Sequence, residues 1–374
     1  MRLVNRPAAD CGDSIGRRLT RRDDPSRTWC AEEAARLAGG DFRPTGSCVR
    51  RLPGVLLALA LVSGCQSLGG RPADLVLETG AAGGRVLAID ADSRLAAVGT
   101  LDGSVRIWGL EDGAQQAAWR AHGGTVNGIL FLTGDRLMTA GYDGRMAIWS
   151  VAGRRIAGWS VDSPATALGA ALTAGIVATG HADGKVRLWD VEGHRRAQWA
   201  PHSGAVRAVA LTPDGQRIAS SGADGQVRIW SAGGQPRPLP PPTTDARTLA
   251  FSLAGGALLG GGWFDLYRWE LPAGTFRRLP TEHRGIINSM LVLPDGRLAT
   301  ISRQTDSSVL ILDPTSGATV QRIGRHDLCG TAVAVSPDGR VLVSTSDDAT
   351  VRIWRLGHPS PPTPLGPRLL KTVQ

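Results

Sequence analysis

The sequence is poor in charged residues and in two of the three aromatic types, and both shortages limit the class of protein. Only 20% of its 374 residues are charged and 42% are hydrophobic, which excludes a disordered chain because such chains lack apolar content. It has two tyrosines and five phenylalanines but eleven tryptophans, so we expect one structural position to be filled repeatedly by tryptophan. The 49 glycines and 23 prolines indicate a turn-rich, tightly packed protein.

A concentrated positive charge is also missing. The formal net charge is +9, but residues 1–51 account for +4 of it and residues 65–374 for +5. Nucleic-acid-binding domains cluster their basic residues on one surface or along one helix. We therefore expect no nucleic-acid partner.

Signatures of catalysis and of metal binding are missing as well. The sequence contains no C-x-x-C pair and no phosphate-binding G-x-x-x-x-G-K-[ST] motif. His181 and His194 share no metal-ligand spacing with a cysteine or a third histidine. Cys329 offers a nucleophile, but a small buried thiol is the commoner role. We predict no enzyme activity, no catalytic residue, no metal and no cofactor.

An apolar segment precedes Cys65. It begins after Arg50 and Arg51 and ends in Val62-Ser63-Gly64-Cys65. The segment is shorter than the about 20 residues that a membrane-spanning helix needs, but it suits a cleaved signal. It resembles the bacterial lipobox, which implies removal of residues 49–64 and acylation of Cys65. A buried apolar strand is the alternative interpretation.

The lipobox resemblance sets the boundaries expected at the N-terminus. Because 49 residues precede Arg50, we place the true start at about Val49 and expect residues 1–48 to be an untranslated or disordered extension. Residues 65–73 then form a tether. The implied location is the periplasmic side of a bacterial envelope, and Gln66 favours the outer membrane. A cytoplasmic protein is the alternative if the signal is not processed.

A repeat fills most of the remaining chain. Five strand-like segments end in tryptophan, at Trp108, Trp149, Trp189, Trp230 and Trp354, and weaker copies end at Trp269 and Leu312. The successive spacings are 41, 40, 41, 39, 43 and 42 residues. Seven such units predict a domain over residues 74–356, followed by a proline-rich tail over residues 357–374.

Each unit reads as four short strands separated by turns. In the fourth unit the turns are Pro213-Asp214-Gly215 and Asp224-Gly225, and an apolar strand lies on each side of them. One four-stranded sheet leaves both faces exposed, so the sheets must stack on one another. The sequence therefore predicts an all-β fold, a seven-bladed β-propeller with four antiparallel strands per blade.

The repeat resembles the WD40 family. In that family a histidine before the blade, a Ser or Thr on the second strand, an Asp in the next turn and a Trp on the third strand share one hydrogen-bond network. The matching residues are His122, Thr139, Asp143 and Trp149; His202, Ser220, Asp224 and Trp230; and His326, Ser344, Asp348 and Trp354.

Four blades depart from this pattern. The sixth has Leu312 in place of Trp beside His283, Ser302 and Asp306. The third has Thr179, Asp183 and Trp189 without the histidine, and the first has only Asp102 and Trp108. The fifth has Trp263 where the Asp is expected. We expect other turn contacts to replace the network in these blades.

The resemblance also implies a function and a way to close the ring. WD40 propellers dock a protein or peptide on one face, and the family's contact positions map to Asn127, Tyr142, Arg207, Ala223, Asn288 and Asp347. Trp263 and Phe264 add aromatic area, although Trp263 packing inside its own blade is an equal alternative. Residues 74–78 are expected to pair with the last blade. We predict a monomeric, non-enzymatic scaffold of the cell envelope; the alternatives are a quinoprotein-like enzyme or an outer-membrane assembly factor.

Overall fold

The computed structural model describes residues 70–80, 82–132 and 135–357, which form 28 strands and one 3₁₀ turn, Leu172–Ala174. The strands form seven antiparallel four-stranded sheets. The predicted all-β, seven-bladed propeller is confirmed. The predicted signal segment, Cys65 and nearly all of the predicted tail lie outside the described residues.

Blades 1 to 6 each take four consecutive strands, from the innermost to the outermost. Blade 1 comprises β2 (Gly84–Ile89), β3 (Leu95–Thr100), β4 (Ser104–Gly109) and β5 (Gln115–Arg120). Blade 2 comprises β6 (Val126–Phe131), β7 (Arg136–Gly141), β8 (Arg145–Ser150) and β9 (Arg155–Ser160). Blade 3 comprises β10 (Ala165–Ala171), β11 (Ile176–His181), β12 (Val186–Asp190) and β13 (Arg195–Trp199).

The second half of the ring has the same order. Blade 4 comprises β14 (Val206–Leu211), β15 (Arg217–Gly222), β16 (Val227–Ser231) and β17 (Arg237–Pro238). Blade 5 comprises β18 (Thr248–Phe251), β19 (Ala257–Gly261), β20 (Asp265–Glu270) and β21 (Thr275–Pro280). Blade 6 comprises β22 (Ile286–Val292), β23 (Leu298–Arg303), β24 (Ser308–Leu312) and β25 (Thr319–Arg325).

Blade 7 joins the two ends of the propeller. Its inner strands are β26 (Gly330–Val335), β27 (Val341–Ser346) and β28 (Thr350–Arg355), and its outermost strand is β1 (Leu75–Glu78). Leu75 pairs with Ile353 and Glu78 with Thr350 in an antiparallel register. The first strand of the domain therefore completes the last blade, as the sequence predicted.

The hydrophobic core lies between the blades and not inside any one of them. Seven clusters of buried side chains each combine residues of two neighbouring blades. Ala96 and Trp108 of blade 1, for example, are in one cluster with Val343 and Ile353 of blade 7. The blades thus depend on their neighbours for burial, as is typical of repeat architectures.

Three outer-strand tryptophans link consecutive blades. Trp119, on β5, lies 5.8 Å from the Trp149 ring of blade 2. Trp159 lies 5.7 Å from Trp189, and Trp199 lies 5.5 Å from Trp230. The tilted geometry of these pairs is favourable for aromatic rings. The sequence prediction that these side chains pack between blades is confirmed.

The turns between second and third strands depend on glycine where the backbone is left-handed. Gly184 in blade 3 has a φ of +78°, and a Cβ placed there would lie 2.1 Å from the carbonyl oxygen of His202. A side chain at this position would therefore meet both backbone strain and a collision with the next blade.

Candidate docking face

One end of the propeller carries the turns between second and third strands and the loops that lead into each blade, which we call the entrance loops. We call this end the turn face. Antiparallel pairing places both kinds of segment at the same end of every blade. Its rigidity depends on the contacts that tie each entrance loop to the turn beside it.

In blade 2 the predicted four-residue network is present. His122 Nδ1 donates to Asp143 Oδ1 at 3.0 Å, because a carboxylate can only accept. The neutral ring then accepts from the Thr139 hydroxyl at its Nε2, at 2.8 Å. Trp149 Nε1 donates to Thr139 Oγ1 at 2.9 Å. Asp143 also accepts from the backbone N–H of Gly123 at 2.9 Å, so this carboxylate ties the entrance loop to the turn.

The charges in this network favour a neutral histidine beside an ionised aspartate. Burial lowers the pKa of His122 more than the nearby Asp143 carboxylate raises it. Burial raises the pKa of Asp143, but hydrogen bonds from Gly123 and His122 outweigh it and leave this pKa below its usual value. Each of these two groups therefore holds a fixed protonation state near pH 7, which suits a structural role. We call the polar contacts that tie the entrance loop of a blade to its turn the brace of that blade.

Blades 4 and 7 repeat the network in part. His202 contacts Asp224 at 2.9 Å and Ser220 at 2.8 Å, and the equivalent distances from His326 to Asp348 and Ser344 are 3.1 and 2.7 Å. The predicted tryptophans are not part of it. Among the described residues, the indole N–H groups of Trp230 and Trp354 have no acceptor.

Whether the third-strand indole is hydrogen-bonded depends on which hydroxyl residue the second strand carries. Thr139 and Thr179 accept from the tryptophans of blades 2 and 3, whereas Ser220 and Ser344 do not accept in blades 4 and 7. The methyl group of threonine restricts χ1, while serine turns more freely. The expected inclusion of Trp230 and Trp354 is therefore corrected, and we attribute the difference to the missing methyl group.

Blade 3 has a histidine in its brace, contrary to the sequence prediction. His181 at the end of β11 accepts from Thr179 at 2.7 Å and donates from Nδ1 to the carbonyl oxygen of Ser163 at 2.8 Å. Burial lowers the pKa of His181 to about 4, although the Ser163 carbonyl opposes the shift. Residues two apart in a strand share a face, so Thr179 and His181 could have been paired from strand alternation.

Blade 6 uses a different hydroxyl from the one predicted. His283 Nε2 bonds Thr300 Oγ1 at 2.9 Å, while Ser302 Oγ accepts from the backbone N–H of Ser308 at 3.2 Å. Thr300 lies 17 residues after His283, which is the separation between His122 and Thr139 in blade 2. Since Leu312 has no side-chain N–H donor, the hydroxyl need not lie at the position from which threonine accepts from a third-strand tryptophan in blades 2 and 3.

Blade 5 replaces the network with a buried tyrosine. The Tyr267 hydroxyl lies 2.7 Å from Thr244 Oγ1 in the entrance loop and accepts from the Thr244 N–H at 3.2 Å. Trp269 Nε1 donates to the carbonyl oxygen of Pro240 at 2.8 Å. The Tyr267, Trp269 and Phe276 rings lie 5.5 to 6.1 Å apart. Sequence reasoning did not identify this brace.

Two of the predicted docking residues are engaged in contacts between blades. Asn127 donates to the carbonyl oxygen of Ala165 in blade 3 at 2.9 Å, and Asn288 donates to that of Thr331 in blade 7 at 2.7 Å. Both lie where the register of the first strand shifts. Their amide groups connect neighbouring first strands, so their role is structural.

Tyr142, one of the predicted docking residues, is exposed, with 60% of its surface accessible. Two large apolar side chains that the sequence prediction missed share the turn face with it. Leu101 occupies the equivalent turn of blade 1 and is 44% exposed, and Leu328, in the loop leading into blade 7, is 56% exposed. The Thr125 hydroxyl donates to the carbonyl oxygen of Leu101 at 3.1 Å, which links the turn of blade 1 to the loop entering blade 2.

The remaining predicted docking residues are spread around the face. Ala223 is exposed, and Arg207 is half-buried. Asp347 lies 3.3 Å from the Arg303 guanidinium. Trp263 is half-buried and forms a backbone β-bridge with Ile286 of blade 6. Its ring lies 5.7 Å from that of Phe264 in a tilted arrangement, and Phe264 is 45% exposed. These two rings form a second apolar area, in blade 5.

No group of three or more His, Cys, Asp or Glu side chains is placed to hold a metal ion within the described ranges. Cys329 is half-buried, which is more exposed than the sequence predicted. In the same part of the chain, no helix has the length and apolarity needed to span a membrane.

Comparison with known proteins identifies the repeat. The WD40 model, described as WD domain, G-beta repeat, matches residues 77–109, 113–150, 193–231 and 319–355. Each match ends one residue after a third-strand tryptophan, at blades 1, 2, 4 and 7. The matches leave out all of blade 5 and the three inner strands of blades 3 and 6, whereas the outermost strands β13 and β25 fall within the matches that end in blades 4 and 7.

Several curated proteins are similar over part of the chain. The mouse (Mus musculus) Telomerase protein component 1 is 45% identical over 76 residues, 20% of this chain and 3% of that protein. The Nuclear distribution protein PAC1 of Arthroderma otae is 30% identical over 118 residues, 29% of this chain and 25% of that protein. WD repeat-containing protein 1 of Gallus gallus is 34% identical over 93 residues, 24% and 15% of the two chains.

The aligned segments thus span a quarter or less of these relatives. One of these relatives, WD repeat-containing protein 1, has the repeat in its name. The chain is a seven-bladed β-propeller, and four of its segments match the WD40 repeat.

Proposed function

We propose that this protein is a non-enzymatic scaffold that docks a protein or peptide on its turn face. One observation carries the proposal: Leu328, Leu101 and Tyr142 are large, exposed and apolar, and they lie on three consecutive blades of that face. Exposed apolar groups concentrated in one area mark interaction sites more often than scattered ones do.

The construction of the face favours binding. Tyr142 stands next to Asp143, whose carboxylate is held by hydrogen bonds from the entrance loop and from the turn itself. A side chain on a braced turn loses little conformational freedom when a partner binds, and tyrosine is frequent among residues that dominate interface energies. Trp263 and Phe264 offer a second anchor in blade 5.

The relatives are consistent with docking. Telomerase protein component 1 is, by its name, a component of a larger assembly. These relatives come from a mouse, a fungus and a bird, so the bacterial and envelope parts of the proposal depend on residues 50–65 of this chain alone.

We also propose a lipid anchor at Cys65, on the periplasmic side of the outer membrane. Asp74 donates its N–H to the Ile353 carbonyl, and Arg71 donates to that of Arg355, at the end of β28 remote from the turn face. The chain thus reaches β1 at the opposite end of the propeller. Because Arg71 is held at this end, only residues 66–70 would be free to extend, over at most about 18 Å, so the anchor would hold the turn face away from the membrane.

Site-specific photocrosslinking in the native cell tests the docking proposal. A photoreactive residue would replace Leu101 or Tyr142 in the full chain, with Ile156 on outer strand β9 as an exposed control. We expect the same protein adduct from positions 101 and 142 and none from position 156. No adduct from either turn position, or the same adduct from all three, would contradict docking on this face.

Lipidation is tested separately, because docking does not require it. The mature protein should begin at Cys65, carry the mass of acyl chains and partition into detergent, and Cys65→Ala should abolish all three. Intact mass measurement that finds residues 1–64 attached would refute the anchor while leaving the docking proposal standing.

A further inference from the structure

The seven first strands line the central channel of the propeller, and its mouth at the turn face carries a ring of equivalent side chains. The pairing registers align one residue of every blade at this level. In six blades it lies where the first-strand register shifts, and in blade 5 it directly precedes β18. We call these residues the mouth ring: Arg85, Asn127, Thr166, Arg207, Arg247, Asn288 and Thr331.

Four members of the mouth ring connect neighbouring blades by side-chain hydrogen bonds. The two asparagines donate to carbonyl oxygens of the next blade. Thr166 and Thr331 also donate to the next blade, to the carbonyl oxygens of Val206 and Gly84, at 2.7 and 2.6 Å. These side chains therefore follow the edge of the mouth from one first strand to the next.

Arg207 is the member of the ring that is free to bind a ligand. The carbonyl oxygen of Ala246, which corresponds to the acceptors in the other blades, accepts from Ser221 Oγ at 2.7 Å. Within the described ranges the Arg207 guanidinium makes no hydrogen bond and no ion pair, and Nε is its only nitrogen that is shielded from solvent. Because a first strand is the innermost strand of its blade, the accessible Nη groups face the channel or its mouth.

The mouth ring is rich in positive charge. Three of its seven members are arginine, and none is acidic. Arg207 and Arg247 belong to neighbouring blades, and Arg85 of blade 1 lies across the mouth from both. Like charges at close range repel one another unless an anion lies between them. The ring therefore favours a ligand that brings negative charge to the mouth.

The acidic residues beside the ring do not neutralise it. Asp347 pairs with Arg303 at 3.3 Å, and Asp245 precedes Arg247 by two residues. The turn aspartates, such as Asp143, lie farther from the channel, between second and third strands, where histidine and backbone N–H groups donate to them. The three ring arginines and Arg303 against Asp245 and Asp347 leave a net charge of +2.

The mouth ring adjoins the apolar residues of the docking proposal. Leu101 donates its backbone N–H to the carbonyl oxygen of Gly83, two residues before Arg85, at 3.1 Å. The backbone N–H of Tyr142 is tied in the same way to the loop entering blade 2. The apolar and the positive surface are therefore continuous, and one partner segment can cover both.

We infer that the docked partner presents an acidic segment, whose carboxylates accept from the Arg207 guanidinium at the channel mouth while its apolar side chains rest on Leu101 and Tyr142. Arg85 and Arg247 add positive charge on opposite sides of the mouth. Hydrogen bonds between guanidinium and carboxylate groups are strengthened by charge, and complementary charge selects an acidic partner over a basic one. The inference rests on the docking proposal and adds the charge of the partner.

A hexaglutamate peptide is the probe, labelled with a fluorophore and titrated into the full chain while its anisotropy is measured. Hexaglutamine is the uncharged control. We expect saturable binding of hexaglutamate, about tenfold tighter than that of hexaglutamine and weakened by added salt. Equal affinity for the two peptides would overturn the inference.

Two charge-matched variants locate the binding. Arg207→Gln should weaken hexaglutamate binding about tenfold. Arg237→Gln removes the same charge from an exposed position on outer strand β17 of the same blade, and should change binding by less than about twofold. If Arg207→Gln does not fold, Arg85→Gln on the other side of the mouth should weaken binding about threefold. Equal losses in the mouth variant and in Arg237→Gln would contradict the assignment.

Photocrosslinking in the native cell separates failure of this inference from failure of docking. With the photoreactive residue at position 142, Arg207→Glu should lose most of the adduct and Arg237→Glu should keep it. The crosslinked partner peptide, identified by mass spectrometry, should contain more Asp and Glu than Lys and Arg. An adduct that persists in Arg207→Glu, or that comes from a basic segment, would overturn this inference and leave docking standing. No adduct from the otherwise unaltered chain would contradict docking, and this inference with it.

Discussion

Blades 2 and 5 hold their third-strand tryptophans by different chemistry. In blade 2 the Trp149 indole donates to a threonine that also bonds His122, and Asp143 ties the entrance loop to the turn. In blade 5 the Trp269 indole donates to a backbone carbonyl, and the Tyr267 hydroxyl holds the loop. Both blades fasten the entrance loop to the rest of the blade, and blades 4 and 7 do so even though their indole N–H groups have no acceptor among the described residues. Fastening the entrance loop therefore matters more than the particular residues or the indole bond.

The largest expected effect is on the pH dependence of stability, and it concerns the histidine braces. Burial lowers the pKa of His181 to about 4 from an ordinary value of 6.5. The unfolded chain therefore binds a proton at His181 more tightly than the folded chain does. Lowering the pH from 7 towards 4 should reduce the free energy of unfolding by on the order of 3 kcal/mol through this residue.

Urea unfolding at pH 7 and pH 4.5 checks this effect. His181→Gln should reduce the loss of unfolding free energy between the two pH values, although the variant is less stable at pH 7. An unchanged pH dependence in His181→Gln would show that this residue is not a neutral brace.

The next effect concerns blade 5 and the two tyrosines of the chain. Tyr267→Phe removes a buried hydroxyl bonded to Thr243 and Thr244, and should lower the free energy of unfolding by about 1 to 2 kcal/mol. Tyr142→Phe removes an exposed hydroxyl and should change it by less than about 0.5 kcal/mol. Equal effects in thermal unfolding would mean that blade 5 has no tyrosine brace.

A smaller gain is expected when blade 4 is made to resemble blade 2. Ser220→Thr should provide an acceptor for the Trp230 indole and stabilise the protein by about 1 kcal/mol. Thr139→Ser should cost blade 2 a similar amount. Hydrogen exchange at the Trp230 indole should slow in Ser220→Thr. Faster exchange together with lower stability would contradict our account of the threonine methyl group.

The architecture was predictable because its signals recur. Tryptophan at intervals of about 40 residues, with Asp-Gly turns before the third strands, gives the blade number without knowledge of any contact. Pairing of β1 with β28 followed from the resemblance. Comparison with the family pattern, residue by residue, also predicted the contacts among histidine, hydroxyl residue and aspartate in blades 2, 4 and 7.

Parts of the departures could not be predicted because they depend on local geometry. Thr300 and Ser302 share a face of β23, and only the position of the His283 ring selects between them. The acceptor for His181 is the backbone carbonyl of Ser163, which no sequence pattern marks. The sequence prediction missed the exposure of Leu101 and Leu328 because an apolar residue in a turn does not by itself indicate an exposed binding surface.

The central claim is that the polar network braces the blades while neighbouring turn residues bind the partner. Asp224→Ala and Tyr142→Ala test it together, each carrying the photoreactive residue at position 101. Asp224→Ala leaves the donors of His202 and Gln226 unsatisfied and should lower the free energy of unfolding by about 1 to 3 kcal/mol, with the adduct retained below its melting temperature. Tyr142→Ala should stay within about 0.5 kcal/mol and lose most of the adduct. An Asp224→Ala protein of unchanged stability that loses the adduct, beside a Tyr142→Ala protein that keeps it, would contradict the claim.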